Sequence, residues 1–412
     1  MVRLGTLWSG VEIAPFTANE TYLGQLDIII RSLREHGIYV ILDAHQDILS
    51  TKFGSYDAAP RWLIDSFPPP RHAYPWPLKA KPSNWMLGYI TEAAGHAFEC
   101  IYDNVNQALD HYSFFWQTMA HRFGQYENVL GFELMNEPWP GDVMRNPLLF
   151  VPGRTGHKVL LPFYDHLVAK IDAVDNRTMI FYEPLTWGMI VHGSTLGSGF
   201  SRVPGGDRFR DRAVFSYHYY CWFAGVYNDN PFPKWLRSIC DHMFFPKVLQ
   251  AVLKDTQQTG GASFLTEFGQ CKATAAHNTT EYQECLSVLN HSEESMVSWT
   301  YWDSKFYNDD GTIFTENVKL FSRPYAMAIA GIPFGSAFDT NTRVYEIMYF
   351  PRACNGAPSV IYVSPYHYPN GYTVQVSTGL QFNVTYNNYV EVTMTKDYKP
   401  GSLPSAIKIT PL

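Results

Sequence analysis

The stretch "GFELMNEPW", Gly131 to Trp139, decides how the fold is read. Phe132, Leu134 and Met135 suit a buried strand, yet the run ends in Asn136-Glu137 and then Pro138. A carboxylate at the end of an apolar run is costly to bury unless it is paired or used. Pro138 cannot donate a ladder hydrogen bond, so the strand stops there. The chain therefore holds Glu137 at the C-terminal tip of a strand, where a loop begins.

Outward from this stretch, short apolar runs alternate with helical patterns. The runs are "VRLGTLW", "IYVILD", "VLGFELM", "TMIFYE", "AVFSYHYY", "ASFLTEFG" and "SMVSWTYW". Helical spacing occupies "YLGQLDIIIRSLREHG" and the regions near 102–123, 160–174, 244–257 and 280–290. This rhythm predicts parallel strands joined by crossover helices. A closed (β/α)₈ barrel needs eight strands. Seven are visible, which predicts a TIM barrel lacking its first strand, with that strand and a secretory leader upstream of Met1.

Beyond about residue 332 the texture changes. "RVYEIMYF", "SVIYVS", "YTVQVS", "FNVTY" and "YVEVTMT" are short alternating runs separated by turn residues. They predict a small antiparallel β-sandwich over 332–412, after a barrel over 1–331.

In a barrel, function sits at the C-terminal ends of the strands. Those ends carry Arg3; Asp43, His45 and Asp47; Asn136 and Glu137; His218 and Tyr220; Glu267; and Trp302. Two Glu residues from different strands suit glycoside hydrolysis, which uses one carboxyl as proton donor and another as nucleophile or base. An Arg beside a nucleophile keeps it ionised, and a Trp offers a flat apolar face to a sugar ring. Each residue also has a structural reading: a buried Glu-Arg ion pair, aromatic strand packing at Tyr217–Tyr220, or metal ligation by His45 and Asp47. No third metal ligand stands out, and no metal is expected. Trp299 and Trp302 lie three apart and so face opposite ways, which assigns one of them to the core.

"FELMNEPW", "LTEFG", "YHYY" and the early Arg resemble the clan of (β/α)₈ retaining glycosidases, in particular glycoside hydrolase family 5. "VRLGTLWSGVEIAP" and "ILDAHQDILS" are similar to endoglycoceramidases, which release the intact glycan from ceramide. The resemblance spans nearly the whole chain. It implies Glu137 as acid/base and Glu267 as nucleophile. It implies that Asn136 holds the sugar 2-hydroxyl, and that Arg3 and Tyr220 orient Glu267. His45, Asp47 and His218 would contact sugar or support the carboxylates, and Trp302 would floor the first sugar subsite. No metal or organic cofactor is implied. The long Pro- and Trp-rich insertion 61–90 and the aromatic segment 221–245 are candidates for a ceramide channel and for contact with a membrane surface. Rival readings are a β-glucosidase of glucosylceramide or steryl glucoside, a plain β-glucanase, and a non-catalytic glycolipid-binding protein.

Composition bounds the rest. Of 412 residues, 46% are hydrophobic and 17% charged, which describes a globular chain. The aromatic share of 16% suits clefts for sugars and lipids. A net charge of −7 supplies no basic footprint for nucleic acid. Sequons begin at Asn19, Asn176, Asn278, Asn290 and Asn383. With six cysteines, they predict passage through an oxidising lumen, secreted or lysosomal. Cys221–Cys240 and Cys271–Cys285 are candidate local bridges, and a monomer is expected.

Overall fold

The structure, a computed structural model, describes residues 1–186, 197–221, 233–269, 279–302, 306–386 and 388–412. Seven strands form one sheet in chain order: β1 Val2–Thr6, β2 Val40–Ala44, β3 Val129–Glu133, β4 Met179–Tyr182, β5 Ala213–Tyr219, β6 Ala262–Phe268 and β7 Ser298–Tyr301. From β1 to β5 the neighbours pair in parallel, with Arg3 opposite Ile41, Asp43 opposite Glu133, and Glu133 opposite Phe181. This is the strand–helix alternation of the (β/α)₈ barrel, and all seven strands fall on the runs read above.

Helices join the strands: α1 Glu20–Glu35, α2 Glu92–Tyr102, α3 Ala108–Phe123, α4 Leu161–Asp172, α5 Phe245–Thr259 and α6 Thr280–Glu294. Asn19 caps α1 by accepting the Tyr22 N–H at 3.2 Å, and Gly37 at φ +68° ends its last turn. The helix expected near 102–123 is α3, which starts later, at Ala108; α2 precedes it and was not expected. Asn104, Asn106 and Gln107 take left-handed φ of +57°, +52° and +64°, which breaks the α-helical path between α2 and α3.

Residues two apart on a strand share a face, and this sorts the barrel interior into layers. Ile41, Phe181, Val214 and Phe264 form one apolar cluster. Gly131 belongs to that layer because Phe181 fills the space of its missing side chain. A Cβ there would come within 2.2 Å of the Phe181 ring. Two residues further along the same strands come Asp43, Glu133, Glu183 and Ser216. The step from an apolar to a polar layer is thus fixed by the period of the strand.

The chain divides into two compact units: Met1–His218 with Lys247–Thr266, and Tyr219–Pro246 with Glu267–Leu412. The second contains two four-stranded antiparallel sheets. Their strands are β8 Tyr325–Ala328, β9 Gly331–Asp339, β10 Val344–Pro351, β11 Ser359–Tyr362, β12 Tyr372–Val376, β13 Leu380–Thr385, β14 Tyr389–Met394 and β15 Ser405–Pro411. The orders are β8-β11-β14-β13 and β9-β10-β15-β12. Tyr345, Ile347, Ile361, Val390, Ile407 and Ile409 lie in the shared core of these sheets. Five of the eight strands were expected; β8, β9 and β15 were not.

The Cys221–Cys240 bridge is formed, with Cα atoms 5.9 Å apart. Cys285 is disulfide-bonded, while Cys271 lies outside the described residues. Among the sequons, Asn176 is exposed in a turn and Asn383 is exposed on β13. Asn290 instead lies inside α6, where its Oδ1 accepts from Arg323 Nη2 at 2.8 Å. Asn278 lies outside the described residues.

Candidate active site

The polar layer of the first unit is organised by Arg3 on β1. Its Nε donates to Glu133 Oε2 and its Nη2 to Asn136 Oδ1 at 2.7 Å. The same Nη2 lies 3.2 Å from Asp43 Oδ2 and 3.7 Å from Glu183 Oε1. One guanidinium therefore links the ends of β2, β3 and β4. Burial works against the Asp43 anion, but Arg3 and His45 outweigh it and hold its pKa below the usual carboxylate range.

Asn136 and Glu137 are clamped from β2. Gln46 Nε2 donates to the carbonyls of Asn136 at 2.7 Å and Glu137 at 3.0 Å, and Asn136 Nδ2 donates to Gln46 O at 2.8 Å. Glu137 sits at φ +41°, where a side chain crowds the backbone. Such strain persists when surrounding contacts over-determine it, and it gathers at functional sites. The Glu137 N–H points at Glu183 Oε2, 3.3 Å away. Its Oε1 lies 3.0 Å from His218 Nδ1. Burial raises the Glu137 pKa, and the opposing fields of His45 and Arg3 do not cancel the rise.

His45 and Asp47 form a second chain. His45 Nδ1 meets Asp43 Oδ2 at 2.6 Å, its Nε2 lies 3.7 Å from Asp47 Oδ2, and Tyr56 donates to that oxygen at 3.2 Å. Gly5 leaves the room for this ring, since a Cβ there would stand 3.3 Å from His45 Cβ. Burial pushes Asp47 up to about 6, His45 opposing and Glu137 adding to the rise. For His45, burial opposes the charge, but Asp43 prevails and raises its pKa.

In the second unit, Tyr220 donates its hydroxyl to Glu267 Oε1 at 2.7 Å. Glu267 is buried at the end of β6. Trp302 follows β7, with its N–H on Phe268 O at 2.8 Å and its ring 43% exposed. Trp299 is the packed one of the pair, edge-on to Phe268. Gly269 keeps this corner tight: a Cβ would meet Trp302 O at 2.3 Å and the Tyr220 ring at 3.1 Å. The first unit thus collects Arg3, His45, Asp47, Asn136, Glu137 and His218, and the second collects Tyr220, Glu267 and Trp302.

Sequence reasoning missed Gln46, Glu133 and Glu183. Glu183 carried a legible signal, because "FYEP" repeats the pattern of "MNEP", a carboxylate ending an apolar run before Pro. Glu133 could have been found by counting two residues back from Met135 along the inward face. Ligand atoms of Glu133, Glu183 and His218 lie within 4.8 Å of one another, a spacing that could hold a metal ion. Arg3 already supplies the cation between those carboxylates, so the donor set is occupied by a guanidinium.

The sequence profile of Cellulase (glycosyl hydrolase family 5) matches residues 1–308, and that of the glycoside hydrolase family 5 C-terminal domain matches 323–409. The chain belongs to glycosyl hydrolase family 5. It is a glycoside hydrolase, as the motif resemblance implied. Within reach of this family 5 chain are curated endoglycoceramidases. One from Cyanea nozakii is 31% identical, covering 91% of this chain and 75% of its own. One from Hydra vulgaris is 30% identical, covering 94% and 74%. In fold, the chain is similar to endo-glycoceramidase II from Rhodococcus sp. in its ganglioside GM3 complex. The TM-score is 0.77 at 22% identity, covering 100% of this chain and 88% of that one.

Proposed function

We propose that this family 5 chain is a retaining β-glycosidase that releases the intact glycan from the ceramide of glycosphingolipids. The observation that carries the reading is the pair of endoglycoceramidases matching at least nine-tenths of the chain. Glu267 attacks the anomeric carbon while Glu137 protonates the ceramide oxygen, leaving a glycosyl ester on Glu267. Glu137 then takes a proton from water, and that water cleaves the ester. A raised pKa keeps Glu137 protonated for the first step, as a general acid requires. Two carboxyl groups supply acid, base and nucleophile, so the reaction calls for no metal or organic cofactor. Arg3 and Tyr220 orient Glu267, Asn136 binds the sugar 2-hydroxyl, His45, Asp47 and His218 support the sugar and the acid/base, and Trp302 floors the first sugar. Incubation with a panel of glycolipids tests this. Free intact oligosaccharide plus ceramide is expected; release of a single glucose, or of nothing, sinks the reading.

The insertion 61–90 is the proposed lipid-facing and membrane-facing element. Trp76, Trp85, Met86 and Leu87 are exposed, an unusual grouping of large apolar side chains. Tyr89 and Trp139, 5.2 Å apart, tie the insertion to the segment that carries Glu137. The corresponding part of 221–245, residues 222–232, lies outside the described residues. Trp76→Ala with Trp85→Ala is expected to lower kcat/KM on a glycolipid about 10-fold or more. Turnover of a small aryl glycoside should stay within about 2-fold, because binding energy from a remote substrate part is lost only when that part is present. Equal losses on both substrates would make these side chains mere support.

Exposed Asn176 and Asn383 and the Cys221–Cys240 bridge support passage of this enzyme through an oxidising lumen, secreted or lysosomal.

A further inference from the structure

Glu183 is a buried carboxyl group for which the proposed reaction has no task. It is 2% exposed at the end of β4. One oxygen, Oε2, accepts the Glu137 N–H at 3.3 Å, and the other, Oε1, faces His218 Nε2 at 3.4 Å. The opposite nitrogen of that ring, Nδ1, lies 3.0 Å from Glu137 Oε1. His218 therefore spans the two carboxyl groups, hydrogen-bonded to Glu137 and in contact with Glu183 Oε1 in a geometry short of a hydrogen bond.

Whether Glu183 is an anion or an acid decides what that bridge does. The groups facing it are Glu133 on β3, Glu137 beyond β3, Asp43 on β2, Arg3 on β1 and His218 on β5. From α4, Tyr164 donates to the Glu183 backbone carbonyl at 2.9 Å. Arg3 stands 3.7 Å from Glu183 Oε1, farther than from Glu133, Asn136 or Asp43. Burial and the neighbouring carboxylates disfavour the Glu183 anion more than the Arg3 guanidinium favours it. Burial, then Glu133, push its pKa well above the usual range.

We infer that Glu183 is a positioning residue: as a neutral acid it donates Oε1–H to His218 Nε2, and so fixes the ring as the Nδ1–H tautomer that donates to Glu137. The second nitrogen of a histidine sets which proton the first one carries. Held this way, His218 steadies the anion that Glu137 becomes once it has given up its proton, without placing a full positive charge beside it. A charged imidazolium would instead favour the Glu137 anion throughout and weaken it as an acid. This inference rests on the assignment of Glu137 as acid/base.

The test compares three Glu183 variants with the wild type. Glu183→Gln keeps a donor toward Nε2 and cannot ionise. It is expected to retain kcat within about 3-fold and to leave the basic limb of the pH–rate profile in place. Glu183→Ala and Glu183→Leu remove the donor. They are expected to lower kcat at least about 10-fold with little change in KM, and to move the basic limb. Nitrogen-15 NMR of labelled enzyme reads the ring directly, with the His218 signals assigned by their loss in His218→Asn. A neutral ring protonated at Nδ1 at the pH of activity is expected. An imidazolium pattern overturns the inference, and so does a Gln variant as impaired as Ala. Unchanged kcat and pH profile in all three variants overturns it as well. Failure of the acid/base assignment would look different: azide would not rescue Glu137→Ala, whatever the Glu183 variants did.

Discussion

Glu267→Gln is expected to lower kcat on a natural glycolipid by on the order of 10⁴-fold or more, the scale seen when a covalent nucleophile is removed. Gln is close in shape and can still accept the Tyr220 hydroxyl that Glu267 accepts at 2.7 Å, so folding should survive. What is lost is the nucleophilic oxygen. Glu137→Ala should cost about 10²–10⁴-fold, the usual worth of a positioned acid/base. The two losses are told apart by leaving group and by azide. An aryl glycoside with an acidic phenol needs little protonation, so Glu137→Ala should form the glycosyl ester readily and then stall. Azide needs no general base, and it should restore turnover while giving a β-glycosyl azide. The wild-type product, followed by proton NMR, should appear first as the β-anomer. Azide rescue of Glu267→Ala with an α-product, and none for Glu137→Ala, would reverse the assignment.

The barrel was legible because its strands are buried on both faces and read as unbroken apolar runs, such as "IYVILD". The strand-end carboxylates were legible where Pro or Gly followed them. The helix break at Asp103–Gln107 was not, because its left-handed residues are Asn and Gln and none is a glycine. In the second unit, β10 and most of β14 alternate buried and half-buried side chains and were found. By contrast, β9 is exposed along most of its length and carries Pro333 and Gly335, with a register shift between them. It offers no period-2 signal, and only its partner β10 makes it a strand. At the site, the residues that bind through side chains at loop starts were found from their chemistry. Arg3 clasping Glu133 and Asn136, and Gln46 clamping two carbonyls, join residues some 90 or more apart in the chain. A single sequence does not encode such pairings in its local pattern.

Stability should fall as pH rises through neutrality, and Glu284 on α6 is one reason, beside Glu183 and Glu293, whose pKa values burial also raises. Helix α6 buries Glu281, Glu284, Cys285, Val288, Leu289 and Ser292 on one face, so two carboxyl groups share a stripe with apolar residues. Glu284 lies against the Cys221–Cys240 bridge, with ligand atoms of all three within 4.8 Å, and near Asp241. Burial first, and the charge of Asp241 second, push its pKa from 4.5 up to about 8. Because the folded value exceeds the unfolded one, folding holds the proton more tightly than the unfolded chain does. The contribution is therefore complete below pH 4.5 and is lost as pH climbs to about 8. A tenfold difference in proton affinity is worth about 1.4 kcal/mol, so the loss is on the order of a few kcal/mol and about 5 °C in Tm. Asp47, pushed up to about 6, works in the same direction over a narrower window. Glu284→Gln imitates the neutral acid and keeps an acceptor for the Cys221 N–H. It should match the wild type at pH 4.5 and exceed it by several degrees at pH 8, with a flatter slope between. Melting curves across that range decide the matter: parallel slopes for the two proteins would mean that Glu284 is ionised without penalty.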